Sequence, residues 1–176
     1  YSLDSVIKNK CSTSTAIPTG TNAGTYTVYY YVNGTSNYKE TSGSVIVTIK
    51  KYNISNAVIG TINDQIYTGN PIKPTPLVTA SMPNSSVATL VNNTDYTYSY
   101  SNNTNAGTGT VKVTGKGNYT GTKSITFEIG QAENPVKVTA NDLTYNTSSQ
   151  ALVTTRGAKG TICYSLDSVI TSKCST

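Results

Sequence analysis

Ser124-Ile125-Thr126-Phe127-Glu128-Ile129 puts apolar side chains at every second position and polar ones between them. Successive side chains of an extended strand point to opposite faces, so this run has one face for a core and one for water. The same period recurs on both sides. Val111-Lys112-Val113-Thr114 and Val136-Lys137-Val138-Thr139 alternate likewise. Tyr96, Tyr98 and Tyr100 share a face opposite Thr97 and Ser99, while Val28, Tyr30 and Val32 oppose Tyr29 and Tyr31. Asn33-Gly34, Gly69-Asn70-Pro71, Ala106-Gly107 and Gly115-Lys116-Gly117 interrupt these runs at the spacing expected of antiparallel β-sandwiches. No window sustains a 3.6-residue period. The chain is expected to be all-β, with next to no helix.

Composition agrees and excludes several kinds of chemistry. Val, Ile, Thr and Tyr, the side chains suited to a pleated, half-buried surface, are abundant beside Ser and Asn. The 176 residues include 14 Tyr, one Phe, no Trp and no His. Without His there is no Ser-His-Asp or Cys-His pair, no imidazole acid-base group and no His-ligated zinc. Charged residues are 12% of the chain, roughly half the usual share. The net charge of +5 comes from scattered side chains; Lys50-Lys51 is the one adjacent basic pair and Arg156 the sole arginine. Phosphate recognition concentrates such groups on one face, so no nucleic-acid partner is expected. No stretch approaches the 18 or so apolar residues needed to cross a bilayer, and membrane insertion is not expected. The carboxylates are few. Asp64 and Asp142, in a recurring Asn-Asp-x-x-Tyr motif, are expected to hold turns, and no dense Asp run suggests a metal site. No enzyme activity, cofactor or metal is expected.

Internal repeats decide the organisation. Tyr1-Ser2-Leu3-Asp4-Ser5-Val6-Ile7-Lys8-Asn9-Lys10-Cys11-Ser12-Thr13 returns as residues 164–176, altered only at Thr171 and Ser172. The period is 164 − 1 = 163 residues, so the chain reads as one period of a longer tandem array plus a short overlap. A weaker repeat lies within it. Thr21-Asn22-Ala23-Gly24-Thr25 recurs as Thr104-Asn105-Ala106-Gly107-Thr108, and Asn37-Tyr38 as Asn118-Tyr119. Ser44–Ile49 aligns with Ser124–Ile129, and Asn63–Tyr67 with Asn141–Tyr145. Each period then holds two related β-sandwich modules of about 80 residues. Residues 1–50 form the second half of module A, 51–131 a complete module B, and 132–176 the first half of the next module A. The joints at Lys50-Lys51-Tyr52 and Gly130-Gln131-Ala132 are short, which predicts a semi-rigid rod of abutting modules. Tyr38 and Tyr119, at equivalent points before the last strand, are expected to pin the final hairpin as corner tyrosines do.

Asp95–Thr108, continuing to Gly117-Asn118-Tyr119-Thr120-Gly121, resembles the MBG-type bacterial Ig-like tandem repeats. So does Leu143-Thr144-Tyr145-Asn146 followed across the wrap by Asn22–Val28. Those repeats occur in very long secreted or wall-attached surface proteins, many of them adhesins. The resemblance implies Ig-like sandwiches, an extracellular or cell-surface location, and a role as structural unit of a filament or stalk. Neighbouring repeats of the same protein, head to tail, are the implied partners. It implies no catalytic residues.

In such an oxidising setting Cys163 and Cys174, 11 positions apart, are candidates for a local disulfide, with buried free thiols as the alternative. Cys11 is the counterpart of Cys174. A different function class would use the tyrosines. Tyr29, Tyr31, Tyr96, Tyr98 and Tyr100 are a candidate ligand face for a host or cell-wall glycan. The competing expectation is that alternate tyrosines simply cover a sandwich.

Overall fold

The computed structural model describes residues 16–166. Its regular structure is almost wholly strand, and among the described residues the one helical element is a single 3-10 turn. The chain divides into two compact units, Tyr1–Gly130 and Gln131–Thr176.

In the first unit β1 (Gly24–Val32) and β2 (Thr41–Ile49) form an antiparallel hairpin. Then come β3 (Tyr52–Asn53), the 3-10 turn Ile54–Asn56, β4 (Val58–Ile59) and β5 (Gln65–Ile66). After these follow β6 (Val78–Ser81), β7 (Val87–Thr89), β8 (Tyr96–Ser101), β9 (Gly107–Gly115), β10 (Tyr119–Thr120) and β11 (Thr122–Gly130). Strands in the order β5-β11-β9-β8 form one sheet and β4-β6-β7 another. All their pairs are antiparallel except β5 with β11, where Gln65 lies beside Ile129.

The alternation explains how these sheets face each other. Val111 and Val113 are wholly buried on β9, with exposed Lys112 between them. Val113 and Tyr96 from the larger sheet meet Val78 and Ala80 of β6, with Ile54, Ala57 and Leu90 completing the cluster. Val111, Phe127 and Ile129 form a second cluster, against which Ile62 and Ile72 pack. Two sheets closing on one apolar layer make a β-sandwich. Each fully buried valine contributes roughly 1.5–3 kcal/mol through desolvation of its side chain. Every buried apolar side chain among the described residues lies between Ile54 and Ile129.

Local chemistry shapes the turns. Asn53 caps the 3-10 turn, its Oδ1 accepting from the Ser55 amide at 3.0 Å. The same oxygen comes so close to Gly121 that a Cβ there would lie 2.4 Å from it, and Gly121 has a φ of +77°. Both facts demand glycine at the entry to β11.

The β1–β2 hairpin repeats the register of β9–β11. Gly24 pairs with Ile49 as Gly107 pairs with Ile129, and Val28 with Val45 as Val111 with Ile125. Their surroundings differ. Phe127 is 3% exposed, whereas Val47, its counterpart by register, is 48% exposed. The tyrosines of the second repeated motif diverge in the same way. Tyr119 is half-buried, packs edge-on against Tyr52 with centroids 6.0 Å apart, and lies beside the core. It anchors the final hairpin. The Tyr38 side chain is 77% exposed and is not packed on a core, which corrects the expectation for that residue; only its backbone holds the turn, with Thr35. The offset aligning Asn63 with Asn141 is 78, and 52 + 78 = 130 is a glycine, so the aromatic that holds Tyr119 has no counterpart.

In the second unit β12 (Lys137–Ala140) pairs antiparallel with β13 (Val153–Arg156). Here the structure exposes a repeat that the sequence reading missed. Leu77-Val78-Thr79 and Leu152-Val153-Thr154 occupy equivalent strands. Their leucine carbonyls accept from the Gly60 amide at 2.8 Å and the Asn141 amide at 2.9 Å.

Candidate functional site

Tyr96, Tyr98 and Tyr100 on β8 form a ladder of polar-tipped aromatics whose rings meet one after another. Period-2 geometry puts all three on one face, as expected. That face is the inner one. Tyr96 is 4% exposed, and Tyr98 and Tyr100 are half-buried. Tyr98 bridges both core clusters. Tyr96 and Tyr98 meet edge to face with centroids 5.0 Å apart, and the rings of Tyr98 and Tyr100 are 6.1 Å apart. Such pairs add roughly 0.5–1.5 kcal/mol beyond the area they bury.

The hydroxyls are committed too. Tyr98 donates to the Pro76 carbonyl in a very short hydrogen bond, and Tyr100 donates to the Pro74 carbonyl at 3.0 Å. Tyr96 and Tyr98 hydroxyls lie 3.0 Å apart. Pro74 and Pro76 cannot donate to a ladder, so the segment Pro71–Pro76 crosses the sandwich as irregular chain, and phenols take up its carbonyls. Asn103 fixes the far end of that segment, donating from Nδ2 to the Ile72 carbonyl at 2.8 Å. Burial raises the Tyr98 phenol above the ordinary tyrosine range, and the hydrogen bond with Tyr96 adds to it. Burial raises Tyr100 as well, followed by the charge of a Tyr96 phenolate. For Tyr119 burial comes first, then Asp95 and Tyr52.

Tyr29 and Tyr31 sit apart from that ladder, half-buried on β1. The Tyr31 hydroxyl donates to Glu40 Oε2 across the hairpin. The five expected tyrosines therefore do not make one ligand face. Three are inward, because their face of β8 is the one that closes on the core, and hydroxyls tied to the proline segment hold them there.

The carboxylates are spread among structural tasks. Asp95 Oδ2 accepts from the Val91 amide at 2.8 Å and closes a turn, while Glu128 accepts from the Thr108 hydroxyl at 2.9 Å. In the Asn-Asp-x-x-Tyr motif of the second unit the tie is Asn141 rather than the expected Asp142. Asn141 donates to the Ala151 carbonyl at 2.7 Å and accepts from the Thr154 hydroxyl at 2.8 Å. Among the described residues no three His, Cys, Asp or Glu side chains come together. Cys163 is exposed and is not a free thiol; Cys174 lies outside the described residues. No helix among those residues is long and apolar enough to cross a membrane.

One polar contact was not foreseen. Asn118 Oδ1 accepts from the Ala23 amide at 2.8 Å, and its Nδ2 donates to Asn22 Oδ1 at 3.1 Å. This joins the turn before β10 to the start of β1, 96 residues away along the chain. Asn22-Ala23 and Asn118 both belong to the internal repeats, and that recurrence was the signal available in the sequence. No protein-family model, curated protein or solved structure matches this chain.

Proposed function

We propose that this chain is a structural repeat unit of a long bacterial surface or extracellular protein, part of a filament or stalk such as adhesins use. The observation that carries this reading is the near-identity of residues 1–13 and 164–176 at a period of 163. The common register of the β1–β2 and β9–β11 hairpins supports a second, internal repetition. Together they favour tandem Ig-like modules of about 80 residues, bounded near 50/51 and 131/132. Each module resists extension through its interstrand hydrogen bonds, and tandem stacking sets the reach of the whole. A surface of hydroxyls and amides with sparse charge suits a rod that must stay in solution. The joint is held by polar contacts as well as by short connections, with Asn118 bonded to Asn22 and Ala23.

The same reading includes a disulfide between Cys163 and Cys174 and an extracellular location. No catalytic role is part of it. The glycan-binding alternative is not favoured, because Tyr96, Tyr98 and Tyr100 turn inward and only Tyr29 and Tyr31 remain for such a face. Arrays of two, four and eight periods test the proposal. Small-angle scattering is expected to give a length that rises in proportion to period number. Particles whose maximum dimension does not follow period number would remove the stalk reading, and antibodies that fail to label intact source cells would remove the surface location.

A further inference from the structure

The Asn118 contact is made between two repeated motifs, and each motif has another copy. Asn22-Ala23 recurs as Asn105-Ala106, and Asn118 recurs as Asn37. The first pairing is formed at 2.8 and 3.1 Å, while Asn105, Ala106 and Asn37 are all exposed. We propose that a second copy of this chain docks head to tail, seating its Asn37 turn on the Asn105-Ala106 corner of the first. Asn37 Oδ1 accepts there from the Ala106 amide and Nδ2 donates to Asn105 Oδ1, repeating the bonds of Asn118. The inference rests on the repeat-unit reading, and it adds a defined surface and partner.

Chain arithmetic favours this occupant. The observed bond spans 96 residues, from Asn22 to Asn118. In a continuous array Asn37 of the following period stands 37 + 163 − 105 = 95 residues beyond Asn105. The two joints thus have nearly equal spans, as contacts of one kind between successive modules require. Loop shape agrees. Residues Asn102–Thr108 line an open, mostly polar concavity of about 380 Å³, and Asn37 lies at the turn Gly34–Glu40.

An apolar surface supplies the area that two hydrogen bonds lack. Val45 and Val47 are 51% and 48% exposed, although Ile125 and Phe127, which match them by register, are covered in the first unit. The second unit carries an apolar groove of about 630 Å³ lined by Leu152, Val153 and Tyr164 among others. Val153 aligns with Val78, which lies against the larger sheet in the complete sandwich. In the repeat order residues 132–163 come directly before the stretch that carries the β1–β2 hairpin. The groove of one copy accordingly covers the Val45–Val47 face of the next.

The test uses the full chain with a photo-crosslinking amino acid in place of Ser36, which is exposed on the same turn and leaves Asn37 intact, mixed with nitrogen-15-labelled chain. Irradiation is expected to join a light to a heavy chain, with the crosslink mapping to residues 102–108. Asn105→Ala is expected to lower the yield about tenfold, as the loss of that site's hydrogen bonding would. Val47→Asp is expected to weaken association measured by light scattering. Crosslinks confined to one chain, crosslinks elsewhere, or none at all would overturn the docking proposal. A permuted chain, residues 132–176 followed by 14–131, separates this from the reading beneath it. If that chain does not fold cooperatively, the repeat parsing itself fails. If it folds as a monomer while the original chain gives no light-to-heavy product, only the docking fails.

Discussion

Gly109 lies opposite Phe127 across β9 and β11, and a Cβ added at 109 would fall 2.6 Å from Phe127 Cζ. The outer end of the ring lies against the glycine, and its 3% exposure leaves it nowhere to retreat. The other hairpin uses the same device with the strands exchanged: Gly43 faces Tyr30, and its added Cβ would lie 2.6 Å from the phenolic oxygen.

Gly109→Ala therefore has a predictable sign. Replacing a strand glycine by alanine ordinarily stabilises by about 0.5–1 kcal/mol. Here overpacking dominates, and a net loss of about 1–3 kcal/mol is expected in urea denaturation. Phe127→Leu should relieve part of that loss in the double variant, giving a coupling energy of at least about 0.5 kcal/mol. Strict additivity would show that the ring is not what confines position 109.

Tyr98 predicts how stability depends on pH. Its phenol titrates higher in the fold than in the unfolded chain, because burial and Tyr96 oppose the phenolate. The unfolded chain then releases protons first, starting near its ordinary value of about 10. The stabilisation is whole below that pH and declines as pH rises toward the folded value, with Tyr100 and Tyr119 acting in the same direction. Melting temperature is expected to fall between about pH 9.5 and 11.5. Tyr98→Phe should cost about 0.5–1.5 kcal/mol at neutral pH and flatten that alkaline decline. An unchanged pH slope in the variant would count against this assignment.

Asn118→Ala removes both bonds to the start of β1. Its expected cost to the sandwich is small, within about 1 kcal/mol, since the contact is exposed. The local effect is larger: amide exchange at Ala23 should accelerate while that at Val113 is unaffected. Equal exchange at Ala23 in both proteins would mean that the contact does not persist in solution.

The cysteines give a mass-spectrometric prediction. Non-reducing peptide maps are expected to show Cys163 joined to Cys174, leaving Cys11 alkylated. Reduction should lower the stability of the second unit by roughly 2–3 kcal/mol, the scale for a short loop. Recovery of Cys163 joined to Cys11 would sink the pairing and show residues 1–13 taking the place of their repeat, 164–176.

Alternation at Ile125, Phe127 and Ile129 sufficed to read β11 from the sequence, and Val111 and Val113 sufficed for β9. Strand period is a property of consecutive residues, so it survives without knowledge of neighbours. The 163-residue period was equally legible, because identity between two stretches needs no geometry. Which face of β8 points inward was not legible. Tyr96, Tyr98 and Tyr100 could be read as sandwich covering or as a ligand platform, since tyrosine is at home on either side of a sheet. Only the tertiary structure decided it, by laying Pro71–Pro76 across the hydroxyls and Val78 against Tyr96. Tyr38 and Tyr119 make the same point, with one tyrosine half-buried against Tyr52 and the other exposed. A side chain's identity sets what its burial is worth, but the long-range pairing of strands determines what is there to bury it.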